Sequence, residues 1–244
     1  NIYHVTDAVY QLFVDKGYTD DRIYYIAPDL QHSTTIDARA DVASLEAAIT
    51  QWASDNVGAD RALTIYMMDH GLPDRFYLDR QRGQSFTPTE LDEWLTILEQ
   101  NHPDLRINVI IDACYSGSFI SGEQTIVGEN RVVITLTDAQ NLAWASPDGA
   151  IFSDYFLEGL RRNESLYNAH REARLAVEIA HPYQQSLLNG DSNNRPGQAD
   201  DGAQAAIRGF GFTGTLDEFN WPPHIFSANV SEITEDGRAT IKAD

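Results

Sequence analysis

Residues 107–118 read Ile-Asn-Val-Ile-Ile-Asp-Ala-Cys-Tyr-Ser-Gly-Ser. Val109 to Ile111 form a short β-branched run bounded by polar residues, the pattern of a strand buried on both faces of a parallel sheet. The run ends in Asp112-Ala113-Cys114 and breaks at Ser116-Gly117-Ser118. Cys114 is the only cysteine in 244 residues. It sits just past the carboxyl end of a core strand, where open α/β sheets place ligands and reacting groups. A lone cysteine is more often a small buried hydrophobe than a nucleophile, so position alone does not make it reactive.

A second stretch changes that balance. Ala62-Leu-Thr-Ile-Tyr-Met-Met-Asp69 is another apolar strand, and it stops at His70-Gly71. A histidine-glycine pair and a cysteine thus each cap a buried strand, and the one helix between them suffices for a right-handed crossover. Neighbouring strands lie ~5 Å apart, so side chains from adjacent strand ends can face one cleft. A thiol needs a base or a positive charge nearby to become the attacking thiolate, and the imidazole is the obvious supplier.

Asp69-His70-Gly71 followed by Asp112-Ala113-Cys114-Tyr-Ser-Gly-Ser118 resembles the cysteine peptidases of the caspase–legumain clan. Asp-His-Gly, and Ser-Gly-Ser after the cysteine, point to the legumain-like branch in its bacterial form. The resemblance covers most of residues 1–215. It implies a three-layer αβα caspase-like α/β fold with a mostly parallel sheet, and a cysteine endopeptidase working through an acyl-enzyme. Cys114 would be the nucleophile, His70 the base, and the N–H groups of Gly71 and Cys114 the oxyanion hole. In this clan the residue two before the cysteine lines the specificity pocket. Asp112 there suits Arg or Lys before the scissile bond, with Asn as the legumain-type alternative; Tyr115 departs from legumain, which carries an acidic residue at that place. Asp69, Tyr115, Trp144 and Ser146 are further candidates for substrate contact, the last two on the expected substrate-pairing wall. A non-catalytic caspase-fold module of a larger surface protein, and a transpeptidase or ligase on the same dyad, are the competing readings.

Composition narrows the partners. A net charge of −20 argues against nucleic acid and anionic membranes. One cysteine leaves no internal disulfide framework, and no apolar run approaches the ~20 residues of a membrane span. A peptide or protein substrate fits best. The remaining histidines, His4, His32, His102, His170, His181 and His224, show no metal-ligand spacing, so no cofactor is expected. Asp191 to Asp201 looks like a degraded calcium loop without the bidentate glutamate, and a solvated loop is the better reading.

Taken in order, residues 2–16 read as an amphipathic helix and Arg22–Ala27 as a strand, followed by a polar loop from Pro28 to Ala40. Asp41 caps a helix that ends near Gly58. Arg75–Asp79 with the turn at Arg82-Gly83 suggests a hairpin. Thr87-Pro88-Thr89-Glu90 is a capping box opening the next helix. Arg131–Thr137 is a strand, Phe152–Arg162 and Ser165–Ala180 are helices, and Ala205–Thr213 is a candidate last strand. The chain opens on its first helix, whereas a caspase-like sheet begins with a strand that lies centrally, between the Ile23 and Ala62 strands. That strand is expected upstream, so the Ile23 and Ala62 strands should not pair directly. The peptidase domain is assigned to 1–218. The tail, 219–244, reads as a strand, an Asp-Gly turn and a second strand, like the start of an immunoglobulin-like sandwich. The chain then looks like part of a longer, multidomain protein, secreted or at the surface of a bacterial-type cell.

Overall fold

The computed structural model describes residues 2–59, 61–143, 151–198, 200–210, 228–233 and 239–243. Its centre is a sheet of four strands in the order β3 (Leu63–Met68), β7 (Ile107–Asp112), β8 (Arg131–Thr135) and β9 (Leu187–Asn189). The first three run parallel and β9 is antiparallel. Every residue of β7 and β8 is buried, as their unbroken apolar runs require for strands covered on both faces.

Alternation sends the β7 side chains to two cores. Ile107, Val109 and Ile111 join one, roofed by Leu45 and Ile49 and by Leu91, Leu95 and Leu98. Ile110 joins the other, with Val5, Val9, Phe152, Phe156, Ala169 and Val177. Helices therefore cover both faces. On the first face lie α2 (Val42–Ala47), a π-helical turn (Ala48–Trp52), α3 (Ala53–Asn56) and α4 (Pro88–Asn101). On the second lie α1 (Ile2–Asp15), α6 (Ile151–Arg161) and α7 (Leu166–Ala180). The three-layer α/β architecture expected from the sequence is present.

The capping signals act as read. Asp41 accepts the Ser44 N–H at 2.8 Å. Thr87 and Glu90 exchange side-chain and backbone bonds, with Pro88 in the first turn. Beside the sheet, β4 (Gly71–Leu72), β5 (Arg75–Asp79) and β6 (Gln84–Phe86) form a small antiparallel sheet that folds back from the end of β3.

Three expectations are corrected. The strand expected over Arg22–Ala27 shrinks to β1 (Ile26–Ala27), preceded by a 3-10 turn at Asp20–Arg22. It pairs only with β2 (Ala38–Arg39), a strand inside the expected polar loop, and a strand held on one side has little to extend it. Ala205 does not open a strand: it lies in α8 (Asp201–Ala206), and β9 pairs with β8 instead. Between them, the Asp201 carboxylate takes the N–H groups of Gly190 and Gln198. A short α5 (Ser118–Ser121) follows the cysteine loop. In the tail, β10 (Ala228–Ile233) and β11 (Ala239–Ala243) pair antiparallel.

β1 and β3 do not pair with each other. Between Ile23–Ala27 and the outer edge of β3 lies a cavity of about 570 Å³, with Tyr3 and Thr6 of α1 to one side and Ile49 and Trp52 to the other. Among the described residues no helix is long and apolar enough to cross a membrane.

Candidate active site

Two neighbouring strand ends build the site. β3 and β7 run in register to Met68 opposite Asp112. The contact continues past both strands, since the Asp69 N–H reaches the Asp112 carbonyl at 3.4 Å. Two residues on, the Gly71 backbone lies against the backbone of Cys114. A Cβ built on Gly71 would fall inside contact distance of the Cys114 carbonyl oxygen, 3.1 Å from Ala113 Cβ and 3.2 Å from Cys114 C. His70 lies between these two tethers. Its carbonyl takes the Tyr77 N–H of β5 at 3.0 Å and its own N–H is held by Asp69 Oδ1 at 2.6 Å, while the residue stays exposed to solvent. Burial pushes the Asp69 carboxyl upward, and the His70 N–H partly offsets that.

Cys114 is half-buried and free. Its own N–H has no hydrogen-bond partner among the described residues. Tyr115 next to it sits at φ 56°, a left-handed conformation that bulky residues rarely adopt and that clusters at functional turns. That turn is held from outside: the Tyr115 N–H donates to Asn141 O at 3.0 Å, and Ser116 Oγ bridges the N–H and C=O of Thr137 at 3.3 and 3.4 Å. The segment after β8 then reaches the sulfur itself, where the Ala143 N–H points at Cys114 Sγ from 3.4 Å.

Asp112 alternates onto the α6 face and is 4% exposed. Ser153 of α6 donates its hydroxyl to Asp112 Oδ2, and Tyr66 of β3 shares a 2.7 Å bond with that same hydroxyl. Burial, joined by the nearby Asp154, pushes the Asp112 carboxyl up to about 6, with the Ser153 bond acting against the shift. Burial and the Asp112 charge likewise push the Tyr66 phenol upward. Sequence reading did not single out Ser153 or Tyr66. The one available signal was a serine on the otherwise apolar inner stripe of α6.

The structure therefore brings His70, Gly71, Asp69, Asp112, Cys114 and Tyr115 to one corner of the sheet. Trp144 and Ser146 lie outside the described residues. Asp191 and Asp201 turn their carboxylates onto nearby N–H groups, and among the described residues no three His, Cys, Asp or Glu side chains form a metal-binding group.

The architecture is that of the caspases. The crystal structure of caspase-1 from Spodoptera frugiperda superimposes with a TM-score of 0.54, over 80% of each chain and at 12% identity. The Peptidase C13 family model matches residues 48–165, the stretch that carries both the His70 and the Cys114 strand ends. No curated protein matches the chain by sequence. The fold match, with the Peptidase C13 match over residues 48–165, supports a cysteine-type peptidase similar to that family.

Proposed function

We propose that the chain hydrolyses peptide bonds through a Cys114–His70 dyad and an acyl-enzyme. The observation that supports the proposal is the close approach of the Gly71 backbone to the Cys114 carbonyl, because it brings the segment that carries His70 onto the turn that carries the thiol. His70 takes the thiol proton, and sulfur adds to the scissile carbonyl carbon. The developing oxyanion faces the N–H groups of Gly71 and Cys114, where preorganised donors are worth several kcal/mol of barrier. The C–N bond then breaks as the imidazolium returns its proton to the leaving amine. Water, deprotonated by the same imidazole, hydrolyses the thioester and releases the free carboxyl product.

The residue before the scissile bond is proposed to be Arg or Lys. An aspartate kept for structure alone would be bonded to backbone amides. Among the described residues, Asp112 instead has a serine hydroxyl as its donor and no cation beside it. A buried carboxylate left this way favours a basic group that would neutralise it.

A peptidyl acyloxymethyl ketone ending in Arg should label Cys114 stoichiometrically, and the label should be lost in His70→Ala. Absence of labelling in the unaltered chain returns the reading to a non-catalytic module of a larger protein. Labelling by an Asn-ended reagent only would move the specificity to the legumain type.

A further inference from the structure

We infer that Asp138 is a positioning residue for the nucleophile: its turn aims the Ala143 N–H at Cys114 Sγ, where it can donate to the sulfur once the proton has left. The inference rests on the dyad reading above but stands on its own contacts. Asp138 follows β8 and folds the next residues into a tight turn. Its Oδ1 accepts the N–H groups of Gln140 and Asn141, each at 2.8 Å, and its Oδ2 accepts Asn141 Nδ2 at 2.7 Å. One aspartate thus closes the loop from both carboxylate oxygens, the short-range turn chemistry at which this residue excels.

The closed loop is pressed onto the cysteine turn. A Cβ on Gly117 would stand 2.5 Å from Asp138 C and 2.6 Å from Ala139 N, so the two backbones already touch. The Asn141 carbonyl, fixed by the same turn, takes the Tyr115 N–H, and two residues later the Ala143 N–H meets the sulfur at 3.4 Å. The Ala143 carbonyl lies 3.8 Å from the same sulfur and can accept the S–H of the neutral thiol. Ionisation, with the proton leaving to His70 or to solvent, exchanges that weak bond for a charge-assisted N–H···S⁻ bond, which is the stronger of the two. The loop therefore offers a donor to the sulfur without touching the substrate.

Alkylation of Cys114 by iodoacetamide tests this without calling on peptidase activity. The thiolate displaces iodide, so the rate follows the thiolate fraction. Asp138→Ala should slow alkylation at pH 7 about tenfold, with the two rates converging in alkali. Asp138→Asn keeps an oxygen acceptor for the Gln140 and Asn141 N–H groups but loses the one for Asn141 Nδ2, so its rate should fall between those of Asp138→Ala and the unaltered chain. Ala143→Pro removes the N–H itself and should reproduce Asp138→Ala, which keeps the inference testable if Asp138→Ala does not fold. Equal rates at pH 7 for all four chains, or slowing that persists unchanged in alkali, would overturn it. Peptide hydrolysis measured alongside separates this from the dyad reading. A chain that shows these alkylation differences but cleaves no peptide retains the loop assignment and loses the catalytic one.

Discussion

The backbone of Gly71 rests on the carbonyl of Cys114, so close that no side chain fits between them. This contact joins the segment after β3 to the turn after β7, and it sets where His70 stands. Gly71→Ala forces backbone against backbone, which cannot yield as a flexible side chain would. Overpacking of this kind costs about 1–3 kcal/mol of stability. A displacement near 1 Å in the reacting groups costs about 100-fold in rate. The expected result is a folded protein with kcat/KM lowered about 100-fold or more, checked by peptide hydrolysis beside thermal melting. Hydrolysis unchanged in a folded Gly71→Ala protein would detach the contact from the chemistry.

With the proposed specificity, Asp112 is expected to make both substrate preference and stability depend on pH. Its carboxyl titrates at about 6 in the fold against 3.8 for the free group, because burial disfavours the charge. Below pH 4 the group is neutral whether folded or unfolded and costs nothing. Between about pH 4 and 6 the unfolded chain ionises while the folded one stays neutral, so stability falls by about 3 kcal/mol across that window and levels off above it. Asp112→Asn should therefore be nearly neutral at pH 4 and stabilising by up to about 3 kcal/mol at pH 8, read by denaturant melts at both. A basic substrate reverses the sign for binding, since it pairs with the charged form. KM for an Arg substrate should fall between pH 5 and 7, and the fall should vanish in Asp112→Asn.

Local signals were legible where one short stretch carries all the information. The β-branched run of β7, the Asp41 cap and the Thr87–Glu90 box each declare themselves within a few residues, and each forms as read. The candidate dyad was legible because strand ends and glycines mark it. β9 was not: three residues are too few to show a period, and its only reason to be a strand is the edge of β8. Ser153 and Asp138 escaped for a related reason. Ser153 meets Asp112 from 41 positions away, and the Ala143 N–H meets Cys114 from 29. Both depend on how α6 and the loop after β8 return to the sheet, which no window of sequence contains.

Gly117 offers a second route to the same loop. An alanine there would place its Cβ against the backbone of Asp138 and Ala139 and push the turn off the cysteine segment. The Ala143 N–H would then leave the sulfur. Gly117→Ala should lower kcat/KM by about 10- to 100-fold and slow iodoacetamide alkylation in step with it. Melting should show a native transition at a lowered temperature, because Gly117 is buried but belongs to neither core. A loss of hydrolysis without any change in alkylation would place the damage elsewhere.

The cavity beside β3 carries the last prediction. It is bounded by the backbones of Ile23–Ala27 and Leu63–Asp69, and α1 begins at its rim, since Ile2 and Tyr3 both line it. Apolar side chains line it, and among the described residues β3 has a paired neighbour on one side only. Those boundaries match one extended segment, hydrogen-bonding along β3 and leading directly into α1. Burying four or five apolar side chains there gains ~1.5–3 kcal/mol each, set against ~1.5 kcal/mol of ordering entropy per residue. The surplus is a few kcal/mol, or about 5–10 °C in Tm for a chain of this size. A chain extended before Asn1 by an apolar β-branched segment should melt higher by that amount, and the same extension carrying a central proline should not, because proline cannot complete the ladder with β3. Equal melting temperatures for the two extensions would show that the slot does not take a strand.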